Sequence, residues 1–147
     1  MRSMNGPPAP LVEELSHLGY AFLRLLLQRA KEVFAKEGLS LLQAEVLRLV
    51  REGVNAPSRL AEHLEVQPSQ VSHLLASLEE AGLVERRLDP EDRRRVLLHL
   101  TPKGEEAQKR FKEAWLAAYS QHLARLNPEE LLLFRDLLGK LTEVEHA

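Results

Sequence analysis

Leu83-Val84-Glu85-Arg86-Arg87-Leu88-Asp89-Pro90-Glu91-Asp92-Arg93-Arg94-Arg95-Val96-Leu97-Leu98-His99-Leu100-Thr101 is the stretch that decides the fold. Two short apolar-bearing runs flank a tight turn. Asp89-Pro90 starts that turn, because proline fixes φ and the aspartate side chain reaches the backbone just beyond it. The pattern predicts a β-hairpin with the guanidinium groups of Arg93, Arg94 and Arg95 at its tip. Such a finger fits the minor groove of duplex DNA, where arginine meets enhanced negative potential. The spacing of Asp92 and Arg94 allows a pair inside the turn, which leaves Arg93 or Arg95 to reach DNA. Arg86 and Arg87 alternate along a strand, so only one of them faces DNA; the candidate is Arg86.

The residues ahead of the hairpin have a helix-turn-helix pattern. A helix is expected over 57–64, opened by Pro57, whose missing N–H would be unpaired at that position in any case. Glu65-Val66-Gln67 form a three-residue turn, and Pro68 opens a helix over 68–81. Val71, Leu74, Leu75 and Leu78 recur at i, i+3, i+4 and i+7 and form its buried stripe. Ser69, Gln70, Ser72, His73 and Ser77 are left on the open face. None is anionic, and positions 66–78 contain no Asp or Glu. A helix lying in a major groove needs donors and acceptors near base edges and no charge repelled by phosphate. Ser58, at the start of the preceding helix, completes the DNA-facing candidates.

Further helices are expected over about 10–36, from Ser40 to Glu52, over 102–125 and over 128–144. The first repeats Leu11, Leu15, Leu18, Phe22, Leu26, Ala30 and Val33 at steps of three and four, and Gly38 ends it. Ser40 with Gln43 reads as a capping box. Thr101-Pro102 caps and opens the fifth helix. Asn127 caps the sixth, with Glu129 and Glu130 at the positive end of its dipole. The leucines of the sixth helix, from Leu131 to Leu141 and with Val144 beyond, exceed what one small domain covers. The first, fifth and sixth helices are therefore expected to pack against a second copy, in a two-fold dimer that matches inverted-repeat DNA with half-sites about 34–36 Å apart. The expected fold class is mainly α with a small β-hairpin wing. Residues 1–9 are a disordered tail and 10–146 a single domain. Within it, 38–101 form the winged helix-turn-helix lobe, and 10–37 and 102–146 are dimerisation helices.

Composition narrows the chemistry. The 147 residues contain no cysteine, which removes disulfides, zinc-thiolate sites and thiol redox sensing together. No stretch approaches the roughly 20 apolar residues of a membrane span, and the tail lacks the apolar core of a signal peptide. A cytoplasmic protein without cofactor or metal is expected. The six histidines (17, 63, 73, 99, 122 and 146) show no pair at i, i+3 or i, i+4. No nucleophile triad, paired-acid motif or phosphate-binding glycine loop stands out, so no enzyme is expected. Net charge is −2, and residues 55–110 carry nine basic against ten acidic groups. DNA binding must then rest on where charges sit rather than on bulk charge. The excess of arginine over lysine, 14 to 6, hints at a thermophilic or GC-rich source.

The order Leu39-Ser40…Gln43, Leu60-Ala61…Leu64, Val71-Ser72, Leu78-Glu79-Glu80-Ala81-Gly82-Leu83-Val84-Glu85-Arg86, Asp89-Pro90-Glu91-Asp92-Arg93-Arg94 and Leu100-Thr101-Pro102-Lys103-Gly104 resembles the MarR (multiple antibiotic resistance regulator) family over nearly the whole chain. The resemblance implies a homodimeric winged-helix transcriptional regulator, usually a repressor, whose terminal helices form the interface of a triangular dimer. It also implies a pseudo-palindromic double-stranded operator and, in many members, release by a small phenolic or other lipophilic effector. The chain departs from the pattern at Glu65, where glycine is usual, and at Gln67, where a Ser or Thr cap is expected. The family's cysteine-based peroxide sensing is excluded.

Each functional reading has a plainer rival. Arg93–Arg95 could be a solvated turn, and Ser69, Gln70, Ser72 and His73 a merely polar face; the hairpin and helix together favour DNA. A winged helix used for protein interaction would have an arginine-poor hairpin and an acidic or apolar recognition face, and neither is present. A non-specific architectural DNA-binding module is the other alternative. His17, Tyr20 and Arg24 lie one turn apart on the first helix, and Trp115 and Tyr119 one turn apart on the fifth; both groups read as interface or packing residues before pocket residues.

Overall fold

A computed structural model describes residues 6–143 as six helices and a two-stranded hairpin. The helices are α1 (Ala9–Lys36), α2 (Leu41–Arg51), α3 (Pro57–Leu64), α4 (Pro68–Glu80), α5 (Pro102–Leu123) and α6 (Pro128–Thr142), with β1 (Val84–Leu88) and β2 (Val96–Leu100) between α4 and α5. The architecture is the mainly α, winged-helix fold expected from the sequence. Of the lead-in read as 1–9, residues 1–5 lie outside the described residues, as do Val144 and His146, and Ala9 already belongs to α1.

The local signals work as their chemistry requires. Ser40 accepts from the Gln43 backbone N–H while the Gln43 side chain accepts from the Ser40 N–H, closing a capping box. Asn127 and Glu130 do the same for α6. Gly38 ends α1 at φ +70, a left-handed conformation that glycine adopts without a Cβ clash.

The core gathers under the helix-turn-helix. Val71, Leu74, Leu75 and Leu78 of α4 are all buried, together with Val46 and Leu47 of α2, Leu60 of α3 and Leu98 of β2. Edge-on packing of Phe34 on Phe111, centroids 4.7 Å apart, joins the end of α1 to α5. The strands pair antiparallel with Val84 opposite Leu100 and Leu88 opposite Val96. The Leu98 N–H also donates to the Asn55 carbonyl at 2.8 Å, tying the wing to the loop that enters α3.

The apolar repeat of α1 divides in two. Leu26, Ala30 and Phe34 are buried, whereas Leu11, Leu15 and Leu18 are exposed. α6 buries no residue, and Leu132, Leu133, Leu137, Leu138 and Leu141 are exposed.

Residues 100–104 clasp the wing's root to α5. Thr101 accepts from the Gly104 N–H at 3.0 Å, as the N-cap of α5, and donates to the Gly82 carbonyl at 2.6 Å. The Thr101 N–H donates to the Leu83 carbonyl at 3.0 Å, and Lys103 Nζ to the Ala81 carbonyl at 3.0 Å. Gly104 is required for this approach, because a Cβ there would stand 2.0 Å from the Leu83 carbonyl oxygen. The obstacle is backbone and cannot rotate away. Gly104→Ala should therefore destabilise the protein by about 1–3 kcal/mol, the usual cost of overpacking. Thermal unfolding followed by circular dichroism checks this; an unchanged midpoint would mean that the clasp yields freely.

Candidate nucleic-acid interface

The turn between α3 and α4 forms without glycine. Glu65 takes φ +55, ψ +45 as the C-cap of α3, a left-handed conformation costing a non-glycine residue roughly 1–2 kcal/mol. Val66, half-buried against the core, follows it, and its N–H donates to the Ala61 carbonyl at 3.2 Å. Gln67 precedes α4 in extended conformation and makes no side-chain cap. The start of α4 therefore has no side-chain cap: Pro68 brings no N–H, and the Gln70 N–H donates to the Gln67 carbonyl at 2.9 Å.

Five of the sequence candidates sit together on the outer surface of α3 and α4. Ser58, Ser69, Gln70, Ser72 and His73 are all exposed. Ser58 and Ser72 both line a surface cleft of about 470 Å³, together with Glu62 and Val66. Ser77 is different. It is half-buried, donates to the Leu74 carbonyl at 2.8 Å and accepts from Gln43 Nε2 at 2.7 Å. Its position on the helix turns it toward α2, so it braces α4 rather than lying on the open face. The sequence reading missed this because Gln43 is distant in the chain and was already assigned as a cap.

The hairpin turn forms through its aspartates. Asp89, nearly buried, accepts from the Glu91 N–H at 2.9 Å, and its own N–H donates to the Arg95 carbonyl at 2.9 Å. Asp92 accepts from the Arg94 backbone N–H and from Arg94 Nε, both at 3.1 Å. Arg95 lies 3.9 Å from Asp89 Oδ2. Among the described residues Arg93 has no ion-pair partner, and it is exposed. The expected Asp92–Arg94 pair is therefore present. On the strand, Arg86 shares the face of buried Val84 and Leu98 and pairs with Glu79 at the end of α4, at 2.7 Å. Arg87 points to the other face and pairs with Glu85. The basic groups of this lobe are thus largely neutralised locally, and Arg93 is the wing cation that is not.

The aromatic residues of the helical arms gather in one place. Phe22 lies edge-on to Tyr119, His122 and Phe134 at 5.8, 6.2 and 6.1 Å, and Trp115 packs on Tyr119 at 5.4 Å. Trp115 and Tyr119 pack as the helical spacing suggests, while Phe22 and Phe134 come from two other helices and carry no local signal. His17, Tyr20 and Arg24 are exposed on α1. No cluster of three or more metal-ligating side chains occurs among the described residues, nor is any helix there long and apolar enough to cross a membrane.

The Arg94 side chain is the first cause, and its backbone N–H the second, that holds the Asp92 carboxyl below the usual aspartate range; the charge of Arg95 adds to this. A depressed folded-state value means that the ionised carboxylate supports the turn above the unfolded value, and that the support is lost as pH falls through the folded one. Arg94→Ala should return Asp92 toward an ordinary aspartate. A carboxyl-carbon NMR titration reads this directly, and an unmoved Asp92 would show that the pair does not form in solution.

Four similarities to known proteins bear on this geometry. Residues 39–104 match the model of a winged helix DNA-binding domain. An uncharacterised HTH-type transcriptional regulator of Mycobacterium bovis is 35% identical over 133 residues, spanning 88% of this chain and 87% of the relative. The HTH-type transcriptional repressor MdtR of Bacillus subtilis is 31% identical, over 76% of this chain and 73% of its own length. The structure of a MarR family protein of Mycobacterium tuberculosis in complex with p-aminosalicylic acid is similar at 28% identity and a TM-score of 0.66, covering 88% of this chain and 98% of that one.

Proposed function

The chain belongs to the MarR family of winged helix-turn-helix transcriptional regulators and is a DNA-binding regulator, and from that premise we propose that it is a homodimeric repressor. Each subunit places α4 in a major groove of a pseudo-palindromic operator and the 89–95 turn in the adjacent minor groove. The observation that carries this reading is the pairing of an exposed, anion-free stretch at the start of α4 with a wing tip on which Arg93 has no internal partner. Ser58, Ser69, Gln70, Ser72 and His73 contact bases or phosphates. Arg93 enters the minor groove, while Arg86, Arg94 and Arg95 do so only by exchanging their carboxylate partners for phosphate.

The lobe over 38–101 reads DNA, and the segments 10–37 and 102–143 form the dimer. The exposed leucines at the start of α1 and along α6 support this division, since a second copy covers both at once. A small lipophilic or phenolic effector releases the operator by favouring a dimer shape in which the two recognition helices no longer match both half-sites. The complex of the mycobacterial relative with p-aminosalicylic acid supports an effector of that size. Repression is steric, by occupancy of the operator.

Two outcomes are expected. Arg93→Ala should weaken operator binding by roughly 1–3 kcal/mol and flatten the salt dependence by about one charge per subunit. A gel-shift series across salt concentrations measures both, and unchanged affinity and slope would remove Arg93 from the interface. Leu137→Lys should move the protein from dimer toward monomer in sedimentation while leaving its helix content intact; an undisturbed dimer would place the contact elsewhere.

A further inference from the structure

The exposed residues of α4 carry an unequal set of hydrogen-bonding groups. Positions 68–80 contain no lysine or arginine, the side chains that read guanine by a fork to its O6 and N7. Ser69 and Ser72 end in single hydroxyls, Ala76 has no polar group, and the two ring nitrogens of His73 lie on different sides of the ring rather than side by side. Gln70 alone combines a donor and an acceptor side by side, the arrangement that matches the N6 amino group and N7 of adenine.

Gln70 is also free to use them. It is the third residue of α4, in the first turn, where a recognition helix approaches base edges. Its backbone N–H is occupied by the Gln67 carbonyl at 2.9 Å, whereas its side chain makes no hydrogen bond among the described residues and is exposed. The neighbouring amide, Gln43, is committed twice, to the Ser40 N–H and to the Ser77 hydroxyl. The helix itself is held rigid by its buried stripe and by the Ser77 brace, so a side chain one turn from its start is presented at a fixed height.

We propose that Gln70 is the base-reading residue of α4 and that it reads one adenine in each operator half-site through its carboxamide. The proposal rests on the DNA-binding reading above and adds to it the identity of the base and of the side chain that recognises it. The operator position facing Gln70 is A·T, and the remaining contacts of α4 set register and affinity without a fork of this kind.

The test uses the full-length protein and in vitro selection from a random duplex library, followed by affinity measurements on the selected site. The wild type should enrich an inverted repeat with adenine at one symmetric pair of positions. Replacing that A·T by G·C should weaken binding by roughly 5- to 100-fold. Gln70→Ala should lose the preference at that pair and keep it elsewhere, and Gln70→Arg should shift it toward guanine. A position-independent loss in Gln70→Ala, or an unaltered selected sequence, would overturn the assignment while leaving DNA binding in place. If neither wild type nor variant enriches any sequence at low salt, the regulator reading fails with it. Because Gln70 is exposed and unbonded, the variants are expected to fold, and circular dichroism verifies that.

Discussion

The contact between Gly104 and the Leu83 carbonyl is the constraint on which the relative placement of α4, the hairpin and α5 depends. Four hydrogen bonds converge there, from Thr101, Lys103 and the Gly104 N–H, and they join the end of α4, the root of β1 and the start of α5 in one knot. A recognition helix and a wing connected by a few residues would otherwise move independently. Fixed at this point, and fixed again where Leu98 bonds Asn55, they become a single surface whose two parts keep a set offset. The same knot makes α5 the link between that surface and α1, against which α5 packs through Phe34 and Phe111.

Electrostatics is organised by subtraction. The chain is net acidic, and the carboxylates of Glu79, Glu85 and Asp92 each occupy an arginine of the lobe, with Asp89 close to a fourth. Exposed pairs of this kind contribute little to stability. An arginine already neutralised in this way must exchange partners before it can neutralise a phosphate. Arg93 is exempt from that exchange.

Much of the fold was legible because its punctuation is local. Pro57, Pro68, Pro102 and Pro128 open helices at the positions expected, and Gly38, Gly82 and the Asp89-Pro90 turn end elements where their conformational preferences require. The Asp92–Arg94 pair was readable from two residues' spacing. What escaped was long-range. Ser77 was placed outward because periodicity ignores Gln43, which takes its hydroxyl from another helix. The Glu79–Arg86 pair links a helix end to a strand and has no signature in either. The apolar repeat of α1 does not say where one chain's core ends: Leu26, Ala30 and Phe34 are buried, whereas Leu11, Leu15 and Leu18 are exposed. The purpose of Leu100-Thr101-Pro102-Lys103-Gly104 is likewise visible only once Leu83 is seen against it.

The central claim is that α4 and the wing act on DNA as one clasped unit, twice, about a two-fold axis. Hydroxyl-radical and base-methylation footprinting of the full-length protein on its selected operator tests it most directly. The account predicts protected minor-groove tracts outside two protected major-groove segments whose centres lie about one helical turn, 34–36 Å, apart, with the same offset between tract and segment in both half-sites. Uniform protection along the duplex, or major-groove protection without the flanking minor-groove tracts, would contradict it.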